Sequence, residues 1–423
     1  MLDIKFIREN KDIIKEAARK KHVKFEVDEL LKVDEERREV LQVVEELRFK
    51  QNDVSRRINN VSEPERPFVI KEMQGVKEEL KEKEEKLKGI MKDWQTLMLQ
   101  VPNIPDMSVP EGKTDEENKE VKDWGEKKEF SFKPKNHIEL CELHDLADFE
   151  RGTKIAGFRG YVLKNEGAAL SFALWQLAFK HFTQKGFEPM VVPSLVRKEL
   201  LYGSGYLPQG EDDLYKTQDE DYLAGTGEVS TMGYYMNEVL PKDMLSKKML
   251  AFSPCFRREA GSHSKDTKGL MRVHEFFKLE QVVLCEASHE VSVKLHEEIN
   301  RNTEELIEIL GIPYRTVVNC GGDLGLGQVK KYDIELWVPS QDTYREISSA
   351  SYFHDFQTRR LNIKYKDDDG TMRFAHSLNC TGLPSPRILI ALLENNQNED
   401  GSITIPEVLR PYLGGQEIIN KKQ

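Results

Sequence analysis

Two long apolar seams occupy the first hundred residues and leave few folds open to them. Leu30, Val33, Arg37, Val40, Val44, Leu47, Gln51, Val54 and Ile58 recur at alternating steps of three and four, a heptad seam with two polar interruptions. Met73, Val76, Leu80, Lys83, Leu87, Ile90, Trp94, Leu97 and Val101 repeat the pattern. Between the seams, the run from Asn59 to Pro67 is a turn by composition. Two helices joined this way fold back as an antiparallel pair. At ~1.5 Å per residue each would span roughly 45 Å. Such a pair buries little beyond its own seam, which predicts an arm extending from the body. The same heptads suit a dimerisation coiled coil, although the turn supplies each helix with a partner in its own chain. Arg48, Lys50, Arg56, Arg57, Lys77, Lys81, Lys88 and Lys92 lie off the seam and would suit a phosphate backbone. Acidic residues are interleaved with them, a pattern more often met on a plain solvated face, so the sequence permits RNA binding without requiring it.

The second half reads differently. Val101-Pro102-Asn103-Ile104-Pro105 ends the helical pattern, because proline cannot continue it. The boundaries expected are an arm over 1–105, a linker over 106–128 that is polar from Glu111 to Lys128, and a body over 129–423. In the body, short β-rich runs (Met249 to Phe256, Gln281 to Leu284, Arg315 to Val318, Tyr332 to Val338) cluster between helical runs near Leu170 to Gln184 and His289 to Leu310. That predicts an α+β body with a largely antiparallel sheet. The sequence holds no GxGxxG or Walker-type loop, which disfavours doubly wound nucleotide folds.

A length of 423 residues, with 38% hydrophobic and 32% charged, predicts two or three domains. The net charge of -11 does not mark a nucleic-acid binder, yet a local basic stripe can bind RNA on an acidic protein. The five cysteines are scattered without disulfide or zinc spacing. Met1 to Phe6 lacks the features of a signal peptide, and no apolar run reaches membrane-spanning length. The expectation is a soluble cytoplasmic protein with no membrane partner.

Chemistry concentrates in four clusters. Cys255-Phe256-Arg257-Arg258-Glu259, closed by Phe276-Phe277-Lys278-Leu279-Glu280, combines a guanidinium fork for phosphate, a ring for a base and carboxylates for amines or hydroxyls. The others are Leu223 to Glu228, Tyr344 to Ser349, and Ser377 to Arg387 ahead of an apolar helix. Each has a plain structural alternative. Thr226-Gly227-Glu228 reads also as a turn, Arg257 and Glu259 as cross-strand ion-pair partners, and Phe276 and Phe277 as core. Ser348 and Ser349 read also as helix caps, and Arg387 as half of an ion pair.

Together these runs resemble the seryl-tRNA synthetases over nearly the full chain. The Phe-Arg-x-Glu run and its loop are similar to motif 2 of class II aminoacyl-tRNA synthetases. Gly382-Leu383 to Pro386-Arg387 is similar to motif 3, and Gly186 to Pro193 to motif 1, the dimer-interface element of that class. Thr226-Gly227-Glu228, Asp342 to Ser349, Pro406 to Tyr412, and Glu45 to Asn52 within the arm point to the seryl branch.

The resemblance implies an ATP-dependent ligase that forms seryl-adenylate from L-serine and transfers the seryl group to the 3′ end of serine tRNA. Where selenocysteine tRNA exists, the same activity would extend to it. Arg257 would hold the α-phosphate and the serine carboxylate. Arg258, Glu259, Val273, Phe276 and Arg387 would surround the rest of the ATP. Glu346 and Ser349 would hold Mg²⁺, with Ile347 and Ser348 lining the same pocket. Thr226 and Glu228 would receive the serine amino group, Glu280 and Thr381 would read its hydroxyl, and Gly227 and Asn379 would complete the L-serine site. The arm, through Arg48, Lys50, Arg56 and Arg57, would grip the long variable arm of the tRNA. Arg258, His263, Lys265 and Lys268 would face the acceptor end, and the active form would be a homodimer. Gly227, at a position where alanine or serine is frequent in the family, would loosen its turn. Pro384-Ser385-Pro386 would stiffen the approach to Arg387.

Two rivals share parts of this pattern. One is a ligase that loads an amino acid onto a carrier protein, which would have no need of the helical arm. The other is a catalytically silent RNA-binding relative, which would have no need of Arg257, Glu259, Glu346 and Arg387 together.

Overall fold

The computed structural model describes residues 1–58, 61–261 and 266–421. The chain divides into two compact units, 1–19 with 23–102, and 20–22 with 103–423.

The first unit is helical. Helices α1 (Ile4–Glu9) and α2 (Lys11–Lys20) precede α3 (Val27–Arg57) and α4 (Arg66–Gln100). Asp3 caps α1 by accepting from the Lys5 N–H at 2.8 Å, and Pro67 sits in the first turn of α4, where its missing N–H costs nothing. The heptad reading holds. Leu30, Val40, Val44, Leu47 and Val54 on α3 and Val76, Leu80 and Ile90 on α4 are buried, and the two helices pack on each other. Asn59 and Asn60 of the expected turn lie outside the described residues. The polar interruption at Arg37 belongs to a buried cluster. Asp34, 1% exposed, accepts from Arg8 Nε at 2.6 Å, Arg37 Nη2 at 2.9 Å and Trp94 Nε1 at 3.0 Å. The Arg37 guanidinium lies 4.9 Å from the Trp94 ring centre.

The second unit is built on an eight-stranded sheet. In chain order the main elements are β1 (Lys119–Trp124), α5 (Asn165–Gln184), β2 (Glu188–Val191), α6 (Gly227–Tyr234), β3 (Lys247–Phe256), β4 (Glu275–Cys285) and α7 (His289–Ile309). After these come β5 (Tyr314–Val318), β6 (Lys330–Val338), β7 (Thr343–His354), α8 (Phe356–Leu361), β8 (His376–Ser385) and α9 (Arg387–Asn395). The strand order is β1-β5-β6-β7-β8-β4-β3-β2. Every pairing is antiparallel except β2 with β3. The α+β expectation is met.

The stretch read as a linker differs from its expectation, because Lys119–Trp124 inside it forms edge strand β1. An edge strand pairs on one side only and stays wet on the other, so charged side chains are tolerated and its composition is that of a linker.

Centrally, the sheet is covered on both faces. Leu250, Leu279, Val283 and Cys285 join the core containing α5, α7 and α9. The alternate residues Met249, Val282 and Leu284 join a second core with Met232 of α6 and Leu361 of α8. Successive strand residues point to opposite faces, so two-sided burial produces continuous apolar runs. All five cysteines are buried and free. Among the described residues no helix is long and apolar enough to cross a membrane.

Candidate active site

The period of two along β4 sets out the site. Phe276, Lys278 and Glu280 share the face on which Val282 meets α6. Register then selects their neighbours. Glu280 lies opposite Thr381 of β8 and Ala251 of β3, and Lys278 lies opposite Ser253. Helix α6 begins above this face with Thr226 as its N-cap, the hydroxyl accepting from the Glu228 N–H at 3.4 Å.

The result is a buried polar cluster. Glu280, 1% exposed, is ion-paired through Oε2 with Lys278. Its Oε2 also accepts from Thr381 Oγ1 at 3.3 Å, and its Oε1 accepts from Asn379 Nδ2 at 3.0 Å. Lys278 Nζ donates to Thr226 Oγ1 at 2.7 Å and to Thr381 Oγ1 at 3.3 Å. Glu228 sits alongside, accepting from the Tyr206 hydroxyl at 3.0 Å and from Gln357 Nε2 at 2.7 Å. Gln357 is itself oriented by Ser377, whose hydroxyl donates to its Oε1 at 2.7 Å. Burial pushes the Glu228 carboxyl up to about 7 against the pull of these two donors, with the Glu280 charge adding to the rise.

A narrow cleft opens over this cluster. Lys278 and Thr381 line it together with Arg257, Glu259, Val273, Phe276, Glu346, Ile347 and Arg387. Arg257 donates from Nε to the Gly225 carbonyl at 3.2 Å, and its guanidinium lies 5.5 Å from the Phe276 ring centre. Arg387 donates to the Met271 carbonyl at 3.1 Å and to the Glu346 carbonyl at 3.0 Å. Glu259 accepts from Arg272 Nη1 at 2.8 Å. A polar cavity of about 700 Å³ continues the cleft, sharing Arg257, Glu259, Glu346 and Arg387 and adding Asp333 and Glu335 of β6.

Some residues singled out in the sequence do not line this space. Ser348 is buried and its hydroxyl donates to the Thr381 carbonyl at 2.6 Å. The Ser349 hydroxyl donates to Asp333 Oδ1. Arg258 is exposed, its backbone N–H bonded to the Asp213 carbonyl at 2.9 Å. Gly227 is the first residue of α6, and an added Cβ would lie 3.2 Å from Ser253 Oγ and 3.3 Å from Ala251 Cβ. There glycine makes room for close packing, in place of the loosened turn that was expected. Phe277 faces the other way, stacked on Phe252 at 5.8 Å. Lys268 is exposed, whereas His263 and Lys265 lie outside the described residues. In the helical unit, Arg48 meets Glu84 at 2.7 Å and Arg57 lies 3.6 Å from Glu72. Arg48, Lys77 and Lys81 line a shallow groove of about 470 Å³ there; Lys50 and Arg56 are exposed on α3.

Sequence reasoning missed Lys278, Tyr206 and Gln357. Lys278 had a signal, since it lies midway between Phe276 and Glu280 on a strand of period two. Tyr206 and Gln357 had none, because separate segments bring them to Glu228.

An antiparallel sheet carrying an arginine, a stacking ring and buried carboxylates on one face is the arrangement of a class II aminoacyl-tRNA synthetase core. Residues 213–396 match the family model described as the tRNA synthetase class II core domain (G, H, P, S and T), and residues 1–105 match the seryl-tRNA synthetase N-terminal domain. A serine–tRNA ligase from Deinococcus radiodurans is 43% identical over 422 residues, covering 100% of this chain and 99% of its own. One from Thermodesulfovibrio yellowstonii is 44% identical, covering 98% and 99%. A crystal structure of the Pyrococcus horikoshii seryl-tRNA synthetase complexed with ATP superposes with a TM-score of 0.91 at 38% identity, covering 100% of both chains. The chain belongs to the seryl-tRNA synthetase family.

Proposed function

We propose that this protein is a serine–tRNA ligase, activating L-serine with ATP to seryl-adenylate and passing the seryl group to the 3′ end of serine tRNA. The observation that carries this is the buried cluster in which Glu280 holds Lys278 and Thr381, both of which line a cleft walled by Arg257 and Arg387. A buried acceptor facing the amino-acid side chain rejects alanine by being left unpaired, which an apolar pocket could not do. Threonine is excluded by lack of room for its methyl group.

In this reading Arg257 bridges the α-phosphate and the serine carboxylate, holding nucleophile and electrophile in line. Phe276 stacks on the adenine, Glu259 and the Val273 backbone meet its edge, and Arg387 covers the other side and reaches the γ-phosphate. Charge that builds on the phosphate oxygens in the transition state then meets fixed guanidinium groups. Glu228 receives the amino group, and Thr226 flanks it at the start of α6. Asn379 reads the hydroxyl through Glu280, and Ile347 walls the nucleotide site.

Glu346 and Ser349 are the residues that would hold Mg²⁺. Glu346 presents an exposed carboxylate to the cavity. Ser349 has committed its hydroxyl hydrogen to Asp333, leaving its lone pairs to offer. A carboxylate and a hydroxyl are hard oxygen donors that suit this ion. When bound, Mg²⁺ would neutralise phosphate charge.

Residues 1–105 act as the tRNA-binding arm in this reading, 106–128 as a connector and 129–423 as the catalytic domain. Arg48, Lys50, Arg56 and Arg57 contact phosphates and read the shape of the RNA variable arm more than its bases. The protein works as a cytoplasmic homodimer.

One pair of assays tests the whole. Serine-dependent ATP–pyrophosphate exchange is expected in the intact protein and lost in Arg257→Ala. Deleting the arm is expected to spare exchange and cripple tRNA charging. Exchange with another amino acid and none with serine would refute the substrate, and charging that survives arm deletion would refute the RNA role.

A further inference from the structure

Counting donors and acceptors in the buried cluster gives Lys278 a role beyond balancing charge. A lysine ammonium carries three N–H donors and no acceptor. The three partners of Lys278 are Glu280 Oε2, Thr226 Oγ1 and Thr381 Oγ1. Glu280 Oε2 receives a second donor, the Thr381 hydroxyl, so both of its lone pairs are taken. Among the described residues Glu280 Oε1 receives only Asn379 Nδ2 and keeps one acceptor position. Thr226 Oγ1 accepts from Lys278 and from the Glu228 N–H, so its own hydroxyl hydrogen is left to donate.

We infer that Lys278 is a specificity-determining positioning residue: by committing its donors to Glu280, Thr226 and Thr381 it fixes the directions of the acceptor positions left on Glu280 and Thr381 and of the one donor left on Thr226, the complement of a single substrate hydroxyl. This rests on the serine reading above. Without the ammonium, both threonine hydroxyls are free to rotate and Oε2 regains a vacant lone pair, so the pocket no longer presents its acceptors and donor in fixed directions. A purely structural role is the competing account. There Lys278 neutralises a buried carboxylate, and any cation would serve.

Two substitutions separate these accounts. Lys278→Met removes charge and donors. Lys278→Arg keeps the charge, but its planar fork cannot reproduce three contacts that diverge from one nitrogen. Exchange kinetics are measured with serine and with alanine, and ATP binding is read as the rise in melting temperature with Mg-ATP. In Lys278→Met the ratio of kcat/KM for serine over alanine is expected to fall ~100-fold, mostly through the serine KM, with the ATP-induced rise retained. In Lys278→Arg, which protects the folded state by keeping the charge, the ratio is expected to fall roughly tenfold or more. A wild-type ratio in folded Lys278→Arg overturns the inference, whatever the fate of Lys278→Met. Absence of serine-dependent exchange in the unsubstituted protein overturns the serine reading, and the inference with it.

Discussion

Among the described residues Glu228 has no cationic partner in its hydrogen-bonding shell, which holds Tyr206 and Gln357. Its carboxyl is raised from 4.5 to about 7 because burial disfavours the charge. Between those values the folded protein holds a proton that the unfolded chain gives up, so stability falls as pH rises through that window. The charged form costs roughly 3 kcal/mol. Glu228→Gln is therefore expected to gain in melting temperature over the native protein at pH 8 and to show little gain at pH 5, as differential scanning calorimetry would read. The carboxylate that would receive the serine ammonium is present above about 7 and is lost as pH falls through it. The serine KM should accordingly climb several-fold between pH 8 and 6 and flatten in Glu228→Gln. At this scale the sequence was informative for most residues inside a recognisable run, though Arg258 and Ser348, from the same runs, lie outside the cleft. Arg257, Glu259, Phe276, Glu346, Ile347 and Arg387 line one cleft with Thr381. It was silent on Tyr206 and Gln357, whose relevance arises only from distant segments meeting at one carboxylate.

The α3/α4 pair shows what patterning conveys about elements. Its seams were legible because three-four spacing is a property of one helix face and needs no tertiary knowledge. Asp34 was not legible, being one acid among many in a charged sequence. Its burial alone would raise its carboxyl, but hydrogen bonds from Arg8 and Arg37 outweigh that and hold it below the ordinary value. The stability this confers is present above about 3.8 and is lost as pH falls further. Asp34→Ala leaves Arg37 and the Trp94 N–H without their acceptor. It should destabilise the helical pair by about 2–3 kcal/mol, visible as an earlier transition in denaturant titration followed by helical circular dichroism. Strand β1 marks the opposite limit: an edge strand of Lys119, Glu120, Lys122 and Asp123 is spelled like a linker, and only its pairing with β5 reveals it.

For the molecule as a whole, the far edge of the sheet bears on assembly. Strand β2 is the last in the order, and nearby Val191 is 81% exposed, Leu195 52% and Phe172 61%. An apolar edge of this kind invites a second surface, and it falls on the stretch similar to motif 1. Val191→Asp combined with Leu195→Asp is expected to turn a dimer into monomers in sedimentation equilibrium, and unchanged mass would argue against this edge as the interface. Architecture was the most readable level, since the alternation of long helical seams with glycine-rich strand clusters separates an arm from an α+β body. The faces of the central strands were the least readable, because cores on both sides erase the polar-apolar alternation that would have announced them.

Strand β4 carries its ring, its ammonium and its carboxylate at alternate positions, Phe276, Lys278 and Glu280. In the proposed reading, nucleotide stacking, charge placement and side-chain selection are thus geared to one another like teeth on a rack. Gaining or losing a single residue between Phe276 and Glu280 would put the two ends of the set on opposite faces of the sheet. Length changes are therefore expected in the loop between β3 and β4, and the strand itself is expected to change only by substitution.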